Sequence, residues 1–172
     1  MGATRVTLHY TAFDTDFGWV AIVSSEDGLL RLTLPHPTAD GALASLTPLP
    51  SQPVTATSFF GDLPYRLQRY FGGQKVDFPD KLDLSWATPF QGAVWRLNCS
   101  VPYGETRTYG WIAKKLERPQ SARAVGQAMA RNHFPIVVPC HRVVGSDGSL
   151  VGFGGGLAMK RRLLALESSV SR

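Results

Sequence analysis

Hydrophobic and polar positions alternate in two different rhythms along the chain. Residues 17–23 are mostly apolar and close on Ser24-Ser25-Glu26-Asp27-Gly28, a turn signal. Residues 29–34 then alternate, which predicts a β-hairpin. Residues 35–53 hold five prolines and read as loop around a short helix near 42–46. From 59 to 71 the spacing becomes helical, with Phe60, Leu63, Leu67, Tyr70 and Phe71 on one face and Gly72-Gly73 as the stop. Residues 74–86 read as a connection, so a domain boundary is expected near 85–88. No internal repeat or low-complexity tract is present.

The second half is punctuated differently. Thr88 followed by Pro89 predicts an N-cap with proline in the first turn, and Phe90, Ala93, Val94 and Leu97 form the apolar face. Pro102-Tyr103-Gly104 ends that helix. Thr108 caps a second, with Ile112, Ala113 and Leu116 inward, and Arg118-Pro119 interrupts it. A third helix is expected over 121–131, with Ala122, Val125 and Met129 inward. Six Lys/Arg against two Asp/Glu lie between Glu105 and Arg131. Two short helices around a tight turn with this charge fit a helix-turn-helix; an ordinary helical hairpin with a solvated basic face fits equally. Residues 134–144 are mostly apolar and β-branched, so at least part reads as buried strand, at an edge or in a run broken by turns because of Pro135 and Pro139. Gly145-Ser146-Asp147-Gly148 is a turn. Residues 152–156 hold four glycines around Phe153, a loop that permits close approach of a backbone or flat ligand. A last helix over 157–166 is expected to face inward through Met159, Leu163 and Leu166.

Composition narrows the class. The 172 residues are 44% hydrophobic and 18% charged, as in globular proteins. No apolar run reaches the ~18 residues of a membrane span, and the N-terminus lacks a signal pattern, so an intracellular protein without a membrane partner is expected. Cys99 and Cys140 are the two cysteines, there is no Cys-x-x-Cys, and His9, His36, His133 and His141 are scattered. Neither a disulfide framework nor a cysteine-rich zinc site is expected. Residues 1–86 carry 6 Lys/Arg against 9 Asp/Glu, whereas residues 87–172 carry 12 against 4. That asymmetry points the second half towards a polyanion.

Cys140-His141 is the chemically pointed pair, since a neighbouring base raises the population of reactive thiolate. In a regular strand the two side chains would point to opposite faces, leaving contact through one water or across a turn at Pro139. An inert, buried cysteine is the competing reading. Cys99, beside Leu97 with no base nearby, reads as inert, and His133 as a loop or helix-end residue.

Pro139-Cys140-His141-Arg142-Val143-Val144, within a segment that starts at Asn132, closely resembles the active-site signature of the O6-alkylguanine-DNA alkyltransferases. The resemblance continues through Pro102-Tyr103-Gly104-Glu105-Thr106-Arg107-Thr108-Tyr109, Ala122-Arg123-Ala124-Val125-Gly126, the glycine loop and Leu163-Leu164-Ala165-Leu166-Glu167, over about 90 residues. The N-terminal half is similar only loosely, through its hairpin. The resemblance implies a mixed α/β (α+β) protein. Residues 1–86 would be a small supporting domain with an antiparallel sheet and a helix, ribonuclease H-like. Residues 87–172 would be a mainly helical, winged helix-turn-helix-like domain that binds DNA and takes the alkyl group.

It further implies single-turnover transfer of an alkyl group from O6-alkylguanine onto Cys140, with O4-alkylthymine left open as a further substrate. His141 would be the water-mediated base, Glu167 its orienting carboxylate, Tyr109 the donor to the departing base, and Asn132 the tie between helix and active-site strand. Arg123 would fill the stack vacated by the flipped nucleotide. The small residues Ala122, Ala124, Gly126 and Ala128 would let the helix enter the minor groove. Arg118, Ser146 and the backbone at Gly110 would meet phosphates. Pro135, Val143, Phe153, Gly154 and Gly155 would line the pocket. The implied partner is double-stranded DNA carrying alkylated guanine, met by a monomer in the cytoplasm, on the nucleoid, with cooperative binding open; no cofactor or metal is implied. Some members carry tyrosine where Phe153 stands, serine near Gly154, and an N-terminal zinc site whose cysteines are absent here. A non-catalytic binder of alkylated DNA, a winged-helix regulator and a cysteine hydrolase are the alternatives.

Overall fold

The computed structural model describes residues 6–49 and 53–169, in two compact units that divide between Ser85 and Trp86. In the first, β1 (Leu8–Thr15), β2 (Gly18–Ser25) and β3 (Gly28–Leu32) form an antiparallel meander, and β4 (Pro53–Thr55) adds in parallel to β1, giving the order β3-β2-β1-β4. Val20, Ala21, Ile22 and Val23 are all buried, so β2 is covered on both faces and appears in sequence as a run, not an alternation. Ala21 and Val23 pack with Leu8, Leu30, and with Ala42 and Leu46 at the short helix α1 (Ala39–Ala44).

The expected hairpin is present. The strand β1 was not anticipated, because His9, Thr11 and Asp14 interrupt its apolar pattern. Part of the proline-rich loop is also strand: Pro53 opens β4 at the sheet edge, where a missing N–H is tolerated. Residues 50–52 of that expected loop lie outside the described residues. The single helix expected over 59–71 is divided. A 3-10 turn (Thr57–Phe60) ends at Gly61, and α2 (Leu63–Phe71) follows, buried through Leu63, Leu67, Tyr70 and Phe71. The connection after α2 is tied to the hairpin: Leu29 N–H donates to Lys81 O and Asp83 N–H to Leu29 O. Gly28 has φ +143, and a Cβ there would lie 2.5 Å from Lys81 O, so only glycine permits this approach.

The second unit begins at Trp86. Helix α3 (Pro89–Asn98) carries a reciprocal capping box between Thr88 and Gln91. Strand β5 (Arg107–Thr108) leads into α4 (Tyr109–Lys115), capped by Thr108, then α5 (Ala122–Ala130). Val125, Ala128 and Met129 are buried on α5, while Ala122 is only half-buried. Of the two forms expected for 134–144, the structure shows the run broken by turns. A bridge between Pro135 and Val138 closes a turn, Cys140–Arg142 form a 3-10 turn, and only β6 (Val143–Val144) is strand, parallel to β5. Ile136 sits in the turn at φ +75, a conformation costly for a β-branched residue, and is 2% exposed. The last helix, α6 (Leu157–Ser169), is corrected. Its buried face is Lys160, Leu163 and Glu167, with Met159 and Leu166 half-buried.

The turn between α4 and α5 is a Schellman motif. Arg118 N–H donates to Ala113 O and Glu117 N–H to Lys114 O, with Glu117 at φ +60 where glycine is the usual residue. Glu117 is exposed, so Glu117→Gly removes a Cβ clash and no packing. The variant is expected to unfold with a free energy higher by about 0.5–1 kcal/mol, read from urea denaturation.

Candidate active site

The turns that break the 134–144 run deliver Cys140 and its neighbours to different places. Cys140, 8% exposed, lies on the wall of a pocket of about 770 Å³. Tyr109 and Gly110 at the start of α4, Ala122, Arg123, Gly126 and Gln127 on α5, Ser146, and Phe153 and Gly154 of the glycine loop share that wall. His141 is fully buried, enclosed with Glu167. Pro135 and Val143, expected in the pocket, are buried away from its wall, and Gly155 does not line it. Cys99 does not line it either: its thiol donates to Val137 O at 3.6 Å, and desolvation pushes it up to about 11. Trp86 stacks on His133 at 4.0 Å, which places that histidine in an aromatic cluster with Trp95 and Phe134.

Glu167 is the centre of the buried polar set. His141 Nε2 donates to its Oε1 at 2.6 Å, Arg142 donates through Nε and Nη2 at 2.9 Å each, and Gly104 N–H donates at 3.2 Å. Arg142 Nη1 also donates to Val101 O at 2.8 Å, and its guanidinium lies over the Tyr103 ring. Burial alone would raise the Glu167 carboxyl. The hydrogen bonds from His141 and Arg142 outweigh it and bring the pKa down to about 2. A carboxylate accepts and does not donate, so the proton of neutral His141 is on Nε2 and Nδ1 is the basic nitrogen. Desolvation lowers the His141 pKa despite the carboxylate, because Arg142 already balances that charge.

Burial pushes the Cys140 thiol up, while a hydrogen bond from the Asn132 amide, the Lys160 ammonium and backbone N–H groups pull the other way. Asn132 also donates to Val138 O at 2.9 Å and accepts from Phe134 N–H at 2.8 Å, so it clamps the turn on both sides. Desolvation raises Tyr109 and the neighbouring Cys140 adds to it, so the phenol keeps its proton. In this structure that phenol donates to Val151 O at 2.9 Å.

Sequence reasoning missed two residues. Arg142 was quoted only as part of a motif. Lys160 is given no role by the sequence; it is fully buried and donates to Val143 O, Val151 O and Gly152 O at 2.5, 3.2 and 3.4 Å, joining β6 to the glycine loop. The signal for Lys160 is its position three residues before Leu163 and seven before Glu167 on one helix face; Arg142, between His141 and Val143, carries no local signal. Arg118 is exposed with its guanidinium over Phe90, and Arg123, Gly110 and Ser146 are exposed at the pocket. Among the described residues no three His, Cys, Asp or Glu side chains gather as a metal site needs, and no helix is long and apolar enough to cross a membrane.

The Glu167 network has a testable pH signature. Its folded pKa lies below the ordinary 4.5, so its stabilisation is complete above that value and is lost as pH falls from about 4.5 towards about 2. Glu167→Gln is expected to abolish that acid-linked loss and to destabilise the protein at pH 7 by about 3–5 kcal/mol, because the Arg142 charge stays buried without its anion. Chemical denaturation at a series of pH values measures both effects.

Residues 89–169 match the model of the family described as 6-O-methylguanine DNA methyltransferase, DNA binding domain. The chain is 40% identical to the methylated-DNA--protein-cysteine methyltransferase of Mycobacterium tuberculosis over 162 residues, 94% of this chain and 93% of the relative. Against the protein of that name from Methanosarcina acetivorans it is 38% identical, covering 94% and 99%. Among solved structures it is similar to Mycobacterium tuberculosis OGT in complex with DNA, with a TM-score of 0.79, 37% identity and coverage of 94% and 93%. The O6-methylguanine-DNA methyltransferase of Pyrococcus kodakaraensis aligns with a TM-score of 0.69 at 28% identity, covering 94% and 99%. Similarity of this extent, over nearly the whole of each chain and through the residues around Cys140, means that this protein belongs to the methylated-DNA--protein-cysteine methyltransferase family.

Proposed function

We propose that the chain repairs O6-alkylguanine in double-stranded DNA by moving the alkyl group onto the sulfur of Cys140. The observation that carries this reading is the placement of Cys140, and not Cys99, on the wall of the pocket beside Tyr109 and Arg123. A non-catalytic binder needs no cysteine there.

The rest thiol is neutral, because burial raises it. Its proton passes towards His141 Nδ1 through a water as substrate binds, with Glu167 and Arg142 holding the ring. The sulfur attacks the alkyl carbon, the carbon–O6 bond breaks, and its electron pair stays on the guanine. Tyr109 gives its phenolic proton to the guanine anion and regains one from His141, so the thiol proton ends on the base. The products are guanine in DNA and S-alkylcysteine, and nothing here restores the thiol.

A base inside a duplex cannot reach Cys140, so the nucleotide must leave the stack, at a cost of a few kcal/mol. Arg123, exposed on α5 at the pocket, is placed to fill the gap. Arg118, Ser146 and the Gly110 backbone supply phosphate contacts that carry no sequence information. All of these groups lie in one unit of one chain, so a monomer suffices, acting where the chromosome is, in the cytoplasm.

Incubation with a duplex containing O6-methylguanine should add about 14 Da to the peptide that holds Cys140, once per molecule. Cys140→Ser should abolish this and keep DNA binding, since a serine alkoxide is out of reach near neutral pH. Unchanged mass with retained DNA binding would overturn the assignment, and multiple turnover would indicate a hydrolase.

Arg123→Ala is expected to slow repair of duplex DNA at least 10-fold more than reaction with free O6-benzylguanine, which needs no extrusion. Equal losses in the two rate measurements would make Arg123 a support of the pocket instead.

A further inference from the structure

Helix α5 turns Arg123, Gln127 and Ala130 outward at i, i+4 and i+7, and all three are exposed on the pocket wall. The opposite face is core, through Val125, Ala128 and Met129. Gly126 is turned towards Tyr109, whose ring a Cβ at that position would meet at 3.8 Å. On the part of the wall that α5 supplies, Arg123 and Gln127 are thus the side chains with hydrogen-bonding heads beside the small residues Ala122, Gly126 and Ala130. Arg123 carries charge. Gln127 does not, so it adds nothing to the attraction of phosphate, yet it stands on the face that must meet the bases.

A glutamine amide presents one donor and one acceptor side by side. In the minor groove A·T and T·A offer acceptors alone, whereas G·C adds the guanine N2 amino group next to N3. The amide therefore matches guanine with two hydrogen bonds, Nε2–H to N3 and N2–H to Oε1, and any other pair with one. One helical turn separates Gln127 from Arg123, about 6 Å, which spans one to two base-pair steps of ~3.4 Å. We infer that Gln127 reads the base pair one or two steps from the extruded nucleotide and favours G·C there, so that repair depends on flanking sequence. The inference rests on the proposed function, in which α5 enters the minor groove.

The test is single-turnover alkyl transfer from duplexes in which the pairs one and two steps to either side of O6-methylguanine are G·C, I·C or A·T. Inosine lacks only the N2 amino group, so I·C shows the groove the same acceptors as A·T. At one of these positions the wild type should react about 5- to 10-fold faster with G·C than with I·C or A·T, the lower range for a bidentate base contact. In Gln127→Ala that ratio should fall to about one, whereas Gln127→Glu, whose carboxylate still accepts from N2–H although it cannot donate to N3, should keep a preference for G·C. The position is exposed, so both variants should melt as the wild type does. Equal wild-type rates on all flanks, or a ratio that survives in Gln127→Ala, would overturn the inference while leaving the repair reading intact. Failure of every duplex to alkylate Cys140 would remove the repair reading and this inference with it.

Discussion

A carboxylate with no exposed side-chain surface must be answered by charge and hydrogen bonds, and the arrangement around Glu167 follows from that requirement. Arg142 supplies the charge and two donors, His141 one donor, and the Gly104 backbone another. These partners come from the turn after α3, the turn that carries Cys140, and α6, so one ionic centre fixes three segments distant in sequence. It also sets the chemistry of the histidine. Because burial disfavours its charged form and the guanidinium offsets the carboxylate, His141 stays neutral and basic at Nδ1 instead of being trapped as an imidazolium.

A second constraint acts on the other side of Cys140. Asn132 ties the turn through Val138 O and Phe134 N–H, and Lys160 ties β6 to the glycine loop through three carbonyls. Between these ties Ile136 is held at φ +75, buried, in a conformation it would not choose. The turn is therefore over-determined: strain at one residue is maintained by satisfied polar groups at its flanks. This is what lets adjacent residues 140 and 141 serve different surroundings, one at the pocket and one enclosed.

Local signals were legible where local physics decides. Thr88 with Pro89, Thr108, the Gly72-Gly73 stop and the hairpin turn all act within a few residues, and each stands where the sequence placed it. What failed depends on partners far along the chain. The prolines of 134–144 mark a broken run, but how little of it is strand, Val143–Val144 alone, is decided by the Asn132 clamp. Nothing local marks Lys160 and Arg142 as buried; carbonyls 8, 9 and 17 residues from the lysine and a carboxylate 25 residues from the arginine make burial tolerable. The inward face of α6 was misplaced for the same reason, since it was sought among apolar residues. Part of the basic excess of the second half is accordingly internal and does not belong to the field a polyanion would sense.

The separation of 26 positions between His141 and Glu167 also imposes an order on folding. Until α6 docks, Arg142 and His141 lack their anion and the glycine loop lacks its lysine. A guanidinium is not buried without its counter-charge, so the Cys140 turn closes only when the helix that carries the acidic residue is in place. The wall of the pocket is thus completed by a contact between segments far apart in the chain.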